Sequence, residues 1–340
     1  FFFKSRQPIL FCGPTGTGKS VYVHSLLSRK DLLPKEKYIY VVINFSAQSS
    51  CNQTQQLIDE QLDKRSKGRF GPPAMKQAVV FVDDLNMPQL EEYGAQPPIE
   101  LLRQYLDHGG WYDWKDLTFR NIDDIQLMCA MGPPGGGRNS VSPRFLRHFA
   151  CVSVTPFDDA TLNLIFGTIL NWHFKVRNTF DASVAAMSDS LVAATKEIFQ
   201  KVSQELLPTP AKSHYTFNMR DFSKVVQGLL LSNQEWLTNA QAMMRLWVHE
   251  VHNVLCDRLV NDSDAELFLG WVRDSFKSRF KTSFDTVMKK YDENGDGVVD
   301  QVGEIRSLFF GDYMTKTHPR PYVEVFDIGQ LYKVWEGFLE

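Results

Sequence analysis

Pro8-Ile9-Leu10-Phe11-Cys12 runs straight into Gly13-Pro14-Thr15-Gly16-Thr17-Gly18-Lys19-Ser20, and Val21, Val23, Leu26 and Leu27 follow at helical spacing. An apolar strand, a glycine-rich turn and a helix, in that order, are the context in which G-x-x-x-x-G-K-[ST] carries a mechanism. Glycines let the backbone curl so that successive N–H groups point at one anion. A helix that starts at Lys19 adds the positive end of its dipole. Lys19 supplies a mobile charge for the outer phosphates, and the Ser20 hydroxyl is placed to ligate Mg2+. The residues Gly13, Pro14, Thr15, Gly16, Thr17, Gly18, Lys19, Ser20 and Val21 are therefore read as a phosphate cradle for ATP or ADP with Mg2+.

Outward from this loop the first half alternates strands and helices. Tyr38–Asn44, Ala78–Val82, Ile125–Met131 and Phe149–Val154 read as further strands. Asn52–Arg65, Pro97–His108 and Pro143–His148 read as helices, the second with proline where a missing N–H costs nothing. Lys67–Pro73 reads as a turn-rich loop, and Gly109–Phe119 as a hairpin insertion bearing Trp111, Tyr112 and Trp114. Such alternation predicts a five-stranded parallel sheet flanked by helices. From about Asp158 the pattern turns helical, with predicted helices near 158–176, 184–206, 219–233, 239–259 and 265–280, broken by Pro208 and Pro210. The expected division is a large α/β nucleotide-binding domain over 1–178, a helical lid over 179–282 and an extension over 283–340.

Three further groups bear on chemistry. The third strand ends in Asp83-Asp84. A carboxylate at a strand's C-terminal end, near a phosphate loop, holds Mg2+ through its water, which is the expected role of Asp83. Asp84 is the candidate base for the attacking water, one methylene shorter than the glutamate common there. The fourth strand ends at Met131, and Gly132 stands where many such enzymes place a polar side chain. Arg144 and Arg147 lie three apart on a short helix, a spacing that suits either a finger toward another site or surface ion pairs. Arg220 opens a helix of the second half. Asp292–Asp300 fits the start of a Ca2+-binding loop, but Gly303 stands where a bidentate glutamate is needed, which favours a polar turn without Ca2+.

Bulk properties narrow the classes. The 340 residues include 43% hydrophobic and 13% aromatic side chains, enough for buried cores rather than a disordered chain. A formal net charge of −3 makes no electrostatic case for nucleic acid or an anionic membrane. No apolar run approaches a membrane span. Phe1-Phe2-Phe3-Lys4 is not a natural start and suggests a piece of a longer chain. Cys12, Cys51, Cys129, Cys151 and Cys256 show no C-x-x-C spacing; Cys12, Cys129 and Cys151 read as buried reduced thiols of a cytosolic protein.

With these motifs assembled, the chain resembles an AAA+ module of a dynein heavy chain, in particular the third module of an axonemal dynein. The resemblance rests on Gly13–Ser20, Asn44–Gln48, Gln53–Gln55, Phe81–Pro88, Tyr93–Pro98, Gly132–Asn139, Pro143–Phe149, Trp247–Val251 and Phe309–Met314. It implies a microtubule-based motor of the cytoplasm and ciliary axoneme in which six such modules form a ring, with neighbouring modules and other dynein subunits as partners. It gives Lys19 and Ser20 the phosphate-loop roles and Asp83 the metal role. It sets Asp84 at the water-activating position and Gly132 where a sensor asparagine is expected, so hydrolysis is expected to be slow. Arg144 and Arg147 fall on the arginine-finger segment and would act on the preceding module. Arg220 falls on the lid's sensor position. A tightly held, structural ADP is the alternative that Asp84 and Gly132 favour.

Overall fold

A computed structural model describes residues 3–292, 294–315, 320–326 and 328–339. The chain divides into two compact units, 1–156 and 157–340.

The first unit is built on a five-stranded parallel sheet: β1 (Ile9–Cys12), β2 (Tyr38–Asn44), β3 (Gln77–Asp83), β4 (Ile125–Met131) and β5 (Ala150–Ser153), in the spatial order β2-β3-β4-β1-β5. The register aligns Asn44 with Asp83, Val82 with Cys129, and Cys12 with both Met131 and Ser153. All five C-terminal ends therefore share one edge, where ligands bind in open α/β sheets. Ala78 to Val82 are fully buried, as are Leu127 to Ala130, because both sheet faces are covered. Burying Phe81 alone contributes roughly 1.5–3 kcal/mol. Helices α1 (Lys19–Ser28), α2 (Cys51–Asp59), α3 (Pro97–His108) and α4 (Pro143–Leu146) complete the unit.

Two expectations for this unit need correction. The predicted helix over 52–65 stops at Asp59. Asp63–Ser66 instead pairs antiparallel with Arg69–Gly71, inside what the sequence reads as a loop. The hairpin joins Gly110–Tyr112 and Phe119–Ile122 in a separate four-stranded sheet. Long-range pairing wins there: the Arg65 guanidinium reaches Asp124 at 2.5 Å and the Pro72 carbonyl at 3.0 Å. Second, only Cys129 of the three strand cysteines is buried. Cys12 is half-buried, and Cys151 is exposed because β5 is an edge strand.

The second unit is helical: α5 (Asp159–Trp172), α6 (Ser188–Glu205), α7 (Met219–Leu229), α8 (Ala240–Val251) and α9 (Asp262–Ser275). Asn218 and Asp221 form a reciprocal capping box that fixes the start of α7. This compact unit begins at 157, ahead of the expected 179, and Leu170 and Phe174 are fully buried in its helical core. Residues of the stretch after 283 pack within the same unit. Phe284, Val287, Met288, Ile305 and Phe310 belong to the same core. Arg245 of α8 holds Glu324 through two hydrogen bonds, at 2.6 and 2.9 Å, and the Tyr291 hydroxyl donates to the same carboxylate at 2.7 Å. Among the described residues no helix is long and apolar enough to cross a membrane.

Candidate nucleotide-binding site

The cradle forms where β1 ends. Gly16 and Gly18 both adopt φ +83°, a left-handed conformation that lets the chain turn tightly before α1 begins at Lys19. The Gly13 amide donates to the Met131 carbonyl and the Val154 amide to Cys12, so the loop is anchored to strands on both sides. Among the described residues no hydrogen bond uses the amides of Thr15, Gly16, Thr17 or Gly18. Four unengaged donors at a helix N-terminus fit a phosphate group.

Lys19 is buried, and its Nζ donates to the carbonyls of Gly13 (2.7 Å) and Pro14 (2.6 Å) and to Thr17 Oγ1 (3.3 Å). Its pKa lies below the usual lysine value. Burial is the main cause and the nearby Arg138 charge the second, opposed by Asp83 and Asp84. Ser20 follows in the first turn of α1, half-buried. Asp83 closes β3 and is half-buried; its Oδ1 accepts the Asp84 amide at 3.0 Å. A hydroxyl such as Ser20 and a carboxylate such as Asp83 are oxygen donors of the kind Mg2+ takes, since it keeps several waters and takes phosphate oxygens as further ligands. Asp84 is exposed, with φ +51°, and Arg138 Nη2 stands 3.8 Å from its carboxylate.

The other predicted residues make contacts of their own. Arg147 is held by Asp107 of α3 at 2.6 Å, and His148 meets the same oxygen at 2.7 Å. These contacts keep the Asp107 carboxyl well below the usual carboxylate range. Arg144 is exposed; its amide donates to Ser142 Oγ, the N-cap of α4. Arg220 is exposed in the first turn of α7, in the second unit, with its amide capped by Asn218 Oδ1. In the Ca2+-loop-like segment, Asp292 accepts the Gly295 and Gly297 amides, and Glu304 accepts the Gln301 amide. Glu293 of that motif lies outside the described residues.

Two participants escape sequence reading. Asn86 is fully buried and donates to the Gly132 carbonyl at 2.9 Å, tying the ends of β3 and β4 together. Arg138 comes to this edge from a loop that reads only as a glycine-rich turn. A side chain missing at Gly132 was the one signal that something else fills the place.

A parallel sheet in this order, with a lysine-bearing phosphate loop on β1 and a carboxylate ending β3, defines a P-loop nucleotide-binding domain of the AAA+ type. A family model described as the P-loop containing dynein motor region matches residues 1–157, and one for the AAA+ lid domain matches 191–290. The chain belongs to the dynein heavy-chain motor family. It is 48% identical over 345 residues to human dynein axonemal heavy chain 3, covering 100% of the chain and 8% of that protein. It is 47% identical to mouse dynein axonemal heavy chain 12, covering 99% and 11%, and 42% identical to human dynein axonemal heavy chain 1, covering 99% and 8%. The chain thus spans about a tenth of the length of these relatives.

Proposed function

We propose that this chain is a regulatory nucleotide-binding module, the third, of an axonemal dynein motor, and that it hydrolyses ATP slowly with Mg2+. The observation that carries the reading is the cradle: four unengaged amides and a buried Lys19 at a helix N-terminus, on the same sheet edge as Asp83. Thr15 to Ser20 would hold the phosphates, while Ser20 and Asp83 would hold Mg2+, which supplies charge neutralisation when bound. Asp84 is assigned to orient the attacking water, through a small shift or an intervening water, and its exposure supports that role. Arg220 is assigned to report nucleotide to the lid. Arg144 and Arg147 are assigned to the preceding module's site, Arg144 being the freer of the two. Such a switch needs contacts that differ between its two states. Neighbouring ring modules, other dynein subunits and, through the whole motor, microtubules of the cilium are its proposed partners, as the similarity to axonemal heavy chains supports.

The alternative is a module that keeps ADP for ring integrity, favoured by the short reach of Asp84 and the bare Gly132. Steady-state turnover in a chain extended through the following module separates the two. Asp84→Asn should lower turnover at least about a hundredfold while ADP binding is retained, the lower end of a general-base contribution. Equal rates in the two proteins would leave the ADP-holding reading in its place.

A further inference from the structure

Four charges act on one another where β1, β3 and β4 end: Lys19, Asp83, Asp84 and Arg138. Gly132 is the first residue beyond β4 and is buried. A Cβ at that position would lie 2.8 Å from Arg138 Nε and 2.9 Å from its Cδ. Arg138 therefore occupies the space that a side chain at 132 would claim. Its Nε is buried and meets no acceptor. Its one described ion pair, with Asp84, is long at 3.8 Å. A guanidinium keeps its proton under all ordinary conditions, so an unmet buried donor of this kind calls for an anion.

The segment that presents Arg138 has a glycine turn before it and a clamp after it. Gly135, Gly136 and Gly137 all take positive φ, in a tight turn closed by hydrogen bonds between Gly135 and Arg138 at 3.0 and 3.2 Å. Immediately after it, the Asn139 amide donates to the Asn86 carbonyl at 3.0 Å, and its side chain donates to the Pro88 carbonyl at 2.8 Å. Arg138 thus sits at the join between a glycine arm, Gly135 to Gly137, and a clamp on the β3 loop.

We propose that Arg138 recognises the terminal phosphate of a nucleoside triphosphate in its own module, exchanging Asp84 for that phosphate and taking the place of the missing side chain at Gly132. The planar guanidinium fork suits a phosphate better than a single carboxylate oxygen at long range. With a diphosphate the arginine stays on Asp84; with a triphosphate it leaves, and Asp84 is released to water. The same exchange moves the glycine arm against the Asn139–Asn86–Pro88 clamp, so the loop registers which nucleotide is present. This inference rests on the nucleotide reading above.

The test is calorimetric binding of ADP and of the non-hydrolysable analogue adenylyl imidodiphosphate, each with Mg2+, to the whole chain. Arg138→Gln should weaken the triphosphate analogue about tenfold to a hundredfold, the range for a lost charge-assisted hydrogen bond, and leave ADP affinity within about twofold. Arg138→Lys should recover only part of the loss. Gly132→Ala displaces Arg138 without deleting it and should give the same selective loss, which decides the matter if Arg138→Gln does not fold. An unchanged triphosphate-to-diphosphate ratio in both Arg138→Gln and Gly132→Ala overturns the assignment to Arg138 alone. A folded parent chain that binds neither nucleotide overturns the nucleotide reading itself, a visibly different result.

Discussion

At the sheet edge of the first unit, charges are left partly unmet. Arg138 Nε has no acceptor, its Asp84 contact is 3.8 Å long, and Lys19 rests on loop carbonyls rather than on a carboxylate. Inside the second unit, charges are matched closely. Arg245 and Glu324 are 8% and 7% exposed and share two short hydrogen bonds, with Tyr291 as a third member; Glu250 accepts from Tyr322 at 2.6 Å. Both regions concentrate polar groups at low exposure, yet they answer different demands. A buried pair that must only hold the fold is completed within the protein, because an orphaned charge there is costly. A site that must accept and release an anion keeps donors in reserve. At Arg138 an unmet buried donor lies beside the phosphate cradle, whereas at Arg245 the charged groups are met within the protein.

The largest test of that contrast lies in the helical unit. Arg245→Ala leaves Glu324 buried without its partner and should cost about 3–5 kcal/mol in chemical denaturation. A loss below about 1 kcal/mol would show that the pair is not structural. At the sheet edge the effect should fall on ligand rather than fold. Lys19→Ala should weaken ATP and ADP binding about a hundredfold, near 2.7 kcal/mol, with the circular dichroism spectrum unchanged. Parental affinity for both nucleotides in that variant would remove the cradle from consideration.

The third test uses pH. Burial raises the Glu250 pKa from 4.5 to about 6, with the Tyr322 hydrogen bond acting the other way. The folded state therefore binds this proton more tightly than the unfolded chain. Its contribution to stability is fully present below about pH 4.5 and is lost as pH rises through about 6, a change of about 2 kcal/mol. His173 and His249, both held below the usual histidine value by burial, oppose it: their neutral forms favour the fold above pH 6.5, and that support is lost as pH falls. The difference between the parent and Glu250→Gln isolates the glutamate. Unfolding measured at pH 4.5 and 7 should show a variant without this slope; parallel pH profiles would remove Glu250 as its source.

What could be read from the sequence were features whose causes are local. Gly13–Ser20 carries its own turn chemistry, β2 to β4 announce themselves as largely apolar runs, and Pro97 marks the start of α3 because only the first turn tolerates it. The positions of Asp83, Asp84 and the bare Gly132 followed from where those strands must end. What the tertiary structure decided were contacts between residues far apart in the chain. Arg147 turns to Asp107 forty positions away, residues 63–66 leave a helical pattern to pair in a second sheet, and Glu324 is drawn into the helical core by Arg245. Arg138 belongs to this group as well. Nothing in Gly135-Gly136-Gly137-Arg138 says which way the arginine turns, since three glycines impose no direction; only the fold, by closing that turn and bringing it over β4, sets the guanidinium where Gly132 leaves room.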